Sequence, residues 1–329
     1  MIGQADPESP QHTDLPVESK YSVEKQLDFT EKSYSQGQLV RRRFFRHKGA
    51  MVSLFVLVFV AVLAYTSIGV GPIPGWWGKS YLFGGTTVDG GRPTLSLFPP
   101  GIGESPFGQE TTGKDYFALT MKGAQASLLV AFAVGILSTL IGTVVGAVAG
   151  FYRGWVEAIL MRLTDLFIVI PLLILAAVVA KIAGGGIWAI SIALSILIWT
   201  GLARLVRGEV LSLREREFVT AAEAIGTSSG RIILRHILPN TIGTIIVSAT
   251  LTIAAAILLE SALSFLGYGI QPPDSSLGQL ISTYQNAFLT RPWLFWWPGM
   301  FILAIAFSVN FLGDGLRDAF DPRQNRSAD

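Results

Sequence analysis

The chain contains no cysteine, which excludes disulfides, iron–sulfur clusters and thiolate zinc sites. Charge is scarce as well. Asp, Glu, Lys and Arg make up 15% of 329 residues, where a soluble domain carries about a quarter. The three histidines, His12, His47 and His236, are scattered and offer no metal-ligand spacing. No G-x-x-x-x-G-K-S/T phosphate loop occurs, and Gly113-Lys114 is followed by Asp115 without the preceding frame. Gly101-Ile102-Gly103 and Gly267-Tyr268-Gly269 lack the strand-then-helix context of a dinucleotide site. No Ser/His/Asp arrangement stands out. A net charge of +2 is too small to point to nucleic acid. The expectation is a non-enzymatic chain with no cofactor or metal site of its own.

What is abundant is apolar sequence. Half of the residues are hydrophobic and mean hydropathy is +0.50. The excess lies in runs long enough to cross lipid. Six spans are predicted, at about 49–70, 123–151, 157–182, 187–206, 241–266 and 294–313. The first follows a polar tail, residues 1–48, that ends in Arg41-Arg42-Arg43-Phe44-Phe45-Arg46-His47-Lys48. Its 22 residues would reach about 33 Å at ~1.5 Å per residue. Signal peptides lie nearer the start and have shorter apolar cores, so the run reads as an uncleaved anchor.

Placing the N-terminus inside puts 19 of the 25 Lys and Arg residues on the cytoplasmic side, a positive-inside bias. Both termini (1–48 and 315–329) and the loop 207–240 are then cytoplasmic. The external stretch 71–122 is rich in turn residues, with Pro72, Pro74, Gly84-Gly85, Gly90-Gly91 and Pro99-Pro100. It reads either as a linker or as a folded lobe anchored by Trp76, Trp77, Tyr81, Phe83 and Phe98. A core of five transmembrane helices is expected over 123–314. The cluster Trp293, Phe295, Trp296, Trp297 suits an interfacial belt.

The loop between spans four and five is the most organised polar segment. Phe218, Ala221, Ala222 and Ile225 recur at helical spacing. Gly226 suits a left-handed stop, Thr227-Ser228-Ser229 suit a second N-cap, and Pro239 suits the first turn of the next span. Helix–Gly–helix–Pro makes a compact knuckle, on which small Ala221 and Ala222 would admit a partner surface. The rival reading is an amphipathic loop lying on lipid headgroups. Gly142, Gly146, Gly150 and Gly154 follow a four-residue spacing, with Gly135 upstream, and predict a close-packing helix face. Charges inside the spans are few: Glu157, Arg162, Asp165 and Glu260. Arg162 and Asp165 are expected to pair locally. Glu260 must face protein or a watery path, because lipid exposure costs on the order of 3 kcal/mol. Asp165 and Glu260 are thus candidates for inter-helix bonding or for a transport pathway. Pro171 is expected to kink span three.

Four motifs, in order, carry a family resemblance. They are GQETTGKDYFALTMKGAQASLLV from Gly108, LVRGEVLSLREREFVTAAEAIG followed eleven residues later by Leu238-Pro239-Asn240, LLESALSFLGYGIQPP from Leu258, and NFLGDGLRDAFDPR from Asn310. From about Leu39 to Arg323 the chain resembles the C-type inner-membrane permeases of dipeptide/oligopeptide and nickel ABC importers. The resemblance implies an all-α integral membrane protein of the bacterial plasma membrane, with six transmembrane helices in the type I (MetI-like) fold. It implies docking of an ATPase on Glu217, Phe218, Thr220, Ala221, Ala222, Glu223, Gly226, His236, Leu238 and Pro239. The implied partners are a homologous second permease, two ATPases holding ATP and Mg, an extracytoplasmic solute-binding protein and membrane lipid. Thr220 stands where that family has Glu, and His236 where it has Ile. Gln109-Glu110 and Lys114 replace Thr-Asp and Arg. Peptide cargo is the first expectation, nickel chelates or another small solute the second. A channel or carrier without an ATPase is the reading from a different class.

Overall fold

A computed structural model describes residues 36–97 and 100–321. Phe98, Pro99 and the predicted tails before residue 36 and after residue 321 lie outside the described residues. The chain enters through α1 (Gln36–Arg46) and turns at His47 into α2 (Lys48–Ser67). His47 caps α2, its Nδ1 accepting from the Ala50 amide at 3.0 Å.

Two short antiparallel hairpins follow, β1 (Gly69–Val70) with β2 (Ile73–Pro74) and β3 (Ser96–Leu97) with β4 (Pro100–Gly101). The segment they belong to is a folded lobe. Phe107 stacks on Trp297 with ring centroids 3.9 Å apart, and Trp77 donates to Asp115 Oδ1 at 3.0 Å while packing on Phe117. Trp77 and Tyr81 anchor the lobe as expected. Trp76 and Phe83 do not, since both are mostly exposed. Their place is taken by Phe107, which sits between glycine- and proline-rich turns and carries no periodic signal. Glu110 closes the lobe. Burial alone would raise its carboxyl, but hydrogen bonds from Thr112, Thr111 and the Lys114 amide outweigh that and hold it below the ordinary range.

Asp115 then caps α3 (Tyr116–Tyr152) through the Ala118 amide at 2.9 Å. At about 1.5 Å per residue, the helix is about 55 Å long. It begins seven residues before the predicted span. Arg153 (φ 54) and Gly154 (φ 56) break it. Next come α4 (Gly154–Val169) and α5 (Leu172–Ala183), bent by 93°, then α6 (Ile187–Ile198) and α7 (Thr200–Arg214), bent by 43°. Each pair was expected as one span. Pro171 lacks an amide and pushes Ile170 into extended backbone (ψ 129), so span three breaks rather than kinks.

Two short helices, α8 (Glu217–Ala224) and α9 (Ser229–Ile232), lead through a π-helical turn (Ile233–Ile237) into α10 (Leu238–Phe265). Helix α11 (Leu277–Tyr284) and the long α12 (Trp293–Phe320) are the last helices among the described residues. Among the described residues, four helices, with α9 and α10 counted together as one, are long and apolar enough to span a membrane, or up to six if each bent pair counts as one span.

The bundle closes along α3. Its Gly142, Gly146 and Gly150 lie directly on the α7 backbone. A Cβ on Gly146 would sit 2.5 Å from the Ala203 carbonyl oxygen, and one on Gly142 2.8 Å from that of Trp199. Three of the four predicted glycines thus lie in a close helix contact whose other side belongs to the same chain. Gly154 does not belong to it. It lies past the helix break with open space around it. Gly135 packs instead on Ile253 of α10.

Glu260 is completely buried between α3, α10 and α11. It accepts from the Ser127 hydroxyl at 3.1 Å and the Ser264 hydroxyl at 2.7 Å. Those hydroxyls accept in turn from the Leu277 and Ile270 amides and from Ser276. Of the two roles weighed for Glu260, this is the inter-helix bonding one. The Arg162–Asp165 local pair does not form. Asp165 accepts from Arg204 of α7 at 2.5 Å instead, because α7 presents its cations to that face of α4.

Replacing Gly146 with Ala should force α3 and α7 apart and lower the unfolding midpoint by several degrees in detergent. Gly201→Ala, where a Cβ meets open space, should leave it unchanged or slightly raised.

Candidate functional site

The knuckle α8–α9 hangs at the end of the bundle away from the lobe, where α3 ends and α7 ends. Arg216 begins α8 in extended backbone (φ −79, ψ 145), and Glu217 in the first turn complements the helix dipole. The stop is a Schellman motif. Gly226, at φ 78, donates to the Glu223 carbonyl at 2.9 Å, and Thr227 donates to that of Ala222 at 3.0 Å. Ser228 takes the N-cap position of α9, though its hydroxyl makes no cap bond; the backbone carbonyl alone receives the Ile232 amide at 3.0 Å. Pro239 sits in the first turn of α10 and supplies no amide to the turn before it, where the backbone widens into π geometry.

The inner face of the knuckle is apolar and seated. Val219 and Ala222 pack with Ile232, Ile233 and Ile237 onto Phe151 of α3 and Val206 and Val210 of α7. This seat adjoins the glycine seam. The stripe that spacing suggested, Phe218, Ala221, Ala222, Ile225, is thus corrected: only Ala222 points inward. Phe218, Ala221 and Ile225 face outward, and Ile225 is 83% exposed. Leu234, 70% exposed, adds to this outer apolar surface. Glu217, Thr220, Glu223 and Pro239 are also exposed, while His236 and Leu238 are half-buried. A carboxylate is not needed at position 220 to hold the helix. The Thr220 hydroxyl turns back to the Arg216 carbonyl at 3.4 Å.

Polar contacts brace the seat. Arg214 donates to the Phe151 carbonyl and stacks over the Phe151 ring. Arg153 meets Glu215 at 2.7 Å and holds its carboxyl below the usual carboxylate range. Thr244 of α10 donates to Glu209 of α7. None of Val219, Arg214 or Glu209 was singled out from sequence. Val219 and Ala222 do share a three-residue spacing, but its next member, Ile225, is exposed, and Ile232 and Ile233 belong to the following helical segment. That stripe competed with the Phe218–Ala221–Ala222–Ile225 one, and periodicity alone does not rank two apolar faces.

Residues 142–326 match the family model described as "Binding-protein-dependent transport system inner membrane component". The chain belongs to that family. Residues 35–73 of this permease match a second model, the N-terminal transmembrane domain of oligopeptide transport permease C. The permease is 40% identical over 290 residues to the oligopeptide transport system permease protein OppC of Mycobacterium tuberculosis, covering 88% of this chain and 95% of the relative. It is 37% identical over 305 residues to the OppC protein of Haemophilus influenzae, covering 92% and 94%. Among solved structures it resembles a chain of the MetNI methionine ABC transporter in inward-facing conformations. The TM-score is 0.51 at 19% identity, covering 62% of the permease and 96% of that chain. That likeness shows a shared, MetI-like fold, and with the family match and the long apolar helices it makes the chain a multi-pass helical membrane permease.

Placing a charge on the seated face should be costly, and on the outer face nearly free. Val219→Asp is expected to destabilise the permease by about 3 kcal/mol, and Ile225→Asp by no more than about 0.5 kcal/mol. Unfolding of both variants in the same detergent reads the difference.

Proposed function

We propose that this permease forms half of the translocation pathway of an ATP-driven importer that carries peptides across the bacterial plasma membrane. The observation that carries the reading is the two-faced knuckle. One face is locked into the α3–α7 seam, and the other offers Phe218, Ala221, Ile225 and Leu234 with no cover from the described residues. An element built in this way transmits displacement. Force applied to the outer face reaches the glycine seam through Val219 and Ala222 without an intervening loop. The naming of relatives as oligopeptide permeases supports peptide cargo.

In this scheme a homologous second permease completes the pathway, two ATPases holding ATP and Mg bear on the knuckles, and an extracytoplasmic binding protein delivers the peptide to the lobe side. Closure of the ATPases on ATP carries the knuckles inward. The bundles then rock around the pathway, and hydrolysis resets them. Both termini and the knuckle lie in the cytoplasm, a reading supported by the concentration of Arg on that side: Arg153, Arg204, Arg207, Arg214, Arg216, Arg231 and Arg235. The absence of a phosphate-binding loop agrees with a chain that leaves hydrolysis to its partners.

In proteoliposomes containing the assembled complex, Ile225→Asp should leave the permease folded but abolish ATP-driven peptide uptake. Gly226→Pro, which cannot adopt φ 78 or donate to Glu223, should do the same. Unimpaired uptake in both would overturn the lever. Because the parent has no thiol, Ser229→Cys should react with an impermeant maleimide only from the cytoplasmic side.

A further inference from the structure

Helix α1 is held where two spans meet the end of the bundle away from the lobe. Its half-buried side chains, Leu39, Val40, Arg43 and Phe44, form the face that packs toward α2 and α12. Arg43 donates to the Asp321 carbonyl just past α12 at 3.0 Å, and His47 meets Asp318 at 3.5 Å. Gly315 of α12 leaves no room for a Cβ beside Ala50. The start of α2 is thereby fixed on the end of α12.

The opposite face of α1 is cationic and exposed. It carries Arg41, Arg42, Phe45 and Arg46, and the helix contains no Asp or Glu. Lys48 follows at the first position of α2 and is exposed as well. Among the described residues, no carboxylate pairs with Arg41, Arg46 or Lys48.

On the Lys48 side of α2 the sequence turns apolar. Val52, Phe55, Phe59 and Val62 recur at the spacing that forms one stripe of a helix with Lys48. All four are exposed, and the Phe55 and Phe59 rings stack with centroids 6.3 Å apart. Lys48 thus heads an uncovered apolar wall. The helix reaches about 30 Å, the thickness of the hydrocarbon, and no residue in it after Lys48 is charged. Lys48 therefore sits at the boundary between acyl chains and headgroups. Arg46, two residues earlier and within about 7 Å by backbone reach, lies among the headgroups.

We propose that Arg46 and Lys48 form a binding site for an anionic phospholipid. The phosphate rests on the two cations, an acyl chain runs along the Phe55–Phe59 wall, and Arg41 adds to the field. The site needs only the membrane-spanning fold and stands apart from the import reading. Long cationic side chains can lay their stems on apolar surface while the charge stays with the phosphates. A zwitterionic lipid fits less well, because its own ammonium group competes for the phosphate. The rival occupant is the segment 1–35, with seven Asp and Glu against three Lys. It could answer the cations, but it contains no apolar run to cover the wall.

The full-length chain has no cysteine, so Val52→Cys can carry a single bimane label. In phosphatidylcholine vesicles with a minor fraction of acyl-brominated lipid, brominated phosphatidylglycerol should quench the label at least about twofold more than brominated phosphatidylcholine, and salt should narrow the difference. Arg46→Gln with Lys48→Gln should abolish the preference, whereas Arg46→Lys with Lys48→Arg should keep it. Quenching by brominated phosphatidylcholine in every variant verifies insertion. A label on Val62→Cys, toward the other end of α2, should show no preference. Equal quenching by the two lipids at position 52, an equal preference at position 62, or a preference that survives loss of both cations would overturn the site. So would a preference that emerges only when residues 1–35 are removed, which would give the cations to the acidic segment.

Discussion

The structure depends on the contact of two helix backbones. Gly142, Gly146 and Gly150 remove every Cβ from one side of α3, and α7 lies against it with carbonyl oxygens where side chains would be. In lipid no hydrophobic force draws two apolar helices together, so close approach, with its dispersion and weak C–H···O contacts, has to supply the adhesion. Everything else at that end is registered on this line. The knuckle packs on its last turns, the Arg214–Phe151 bond closes it, and the ion pairs of α4 are hung from α7 alongside it.

The apolar runs were legible because lipid imposes a length and a composition that no other environment does. The glycine spacing was legible because a period of four leaves a one-sided trace, although Gly154 falls beyond a break that Arg153 makes with a positive φ and that the spacing does not reveal. The helix–glycine–helix–proline frame was legible for local reasons. Gly226 and Pro239 act through their own backbone and need no tertiary information. Which face of α8 is covered was not, because Val219 and Phe218 are equally apolar and the choice is made by Phe151, Val206 and Val210, far away in sequence. Asp165 illustrates the same limit for charges. A partner three residues away was the obvious candidate, yet a guanidinium 39 positions on wins because helix packing brings it to 2.5 Å.

Two carboxylates near the apolar interior meet opposite fates, and their surroundings explain why. Asp165 is answered by a cation and stays open to water. Glu260 is sealed, forms no ion pair among the described residues, and is answered only by hydroxyls that are themselves held by backbone amides. The first arrangement suits a charge held at an open surface. The second suits a joint, since a half-satisfied polar network in a dry site is worse than none.

That joint has a mechanical corollary. The Leu277 amide at the start of α11 reaches Ser127 on α3, while Ser264 on α10 receives both the Ile270 amide and Ser276. Three separate stretches of chain thus converge on a single buried carboxyl group, and sliding any one of them away would strand its donors in a place water does not reach. The loop from Gly267 to Ser276 consequently cannot flap as an independent flap would. It is carried bodily by its two long neighbours, so whatever tilts them also reshapes the rim of the bundle beside the lobe.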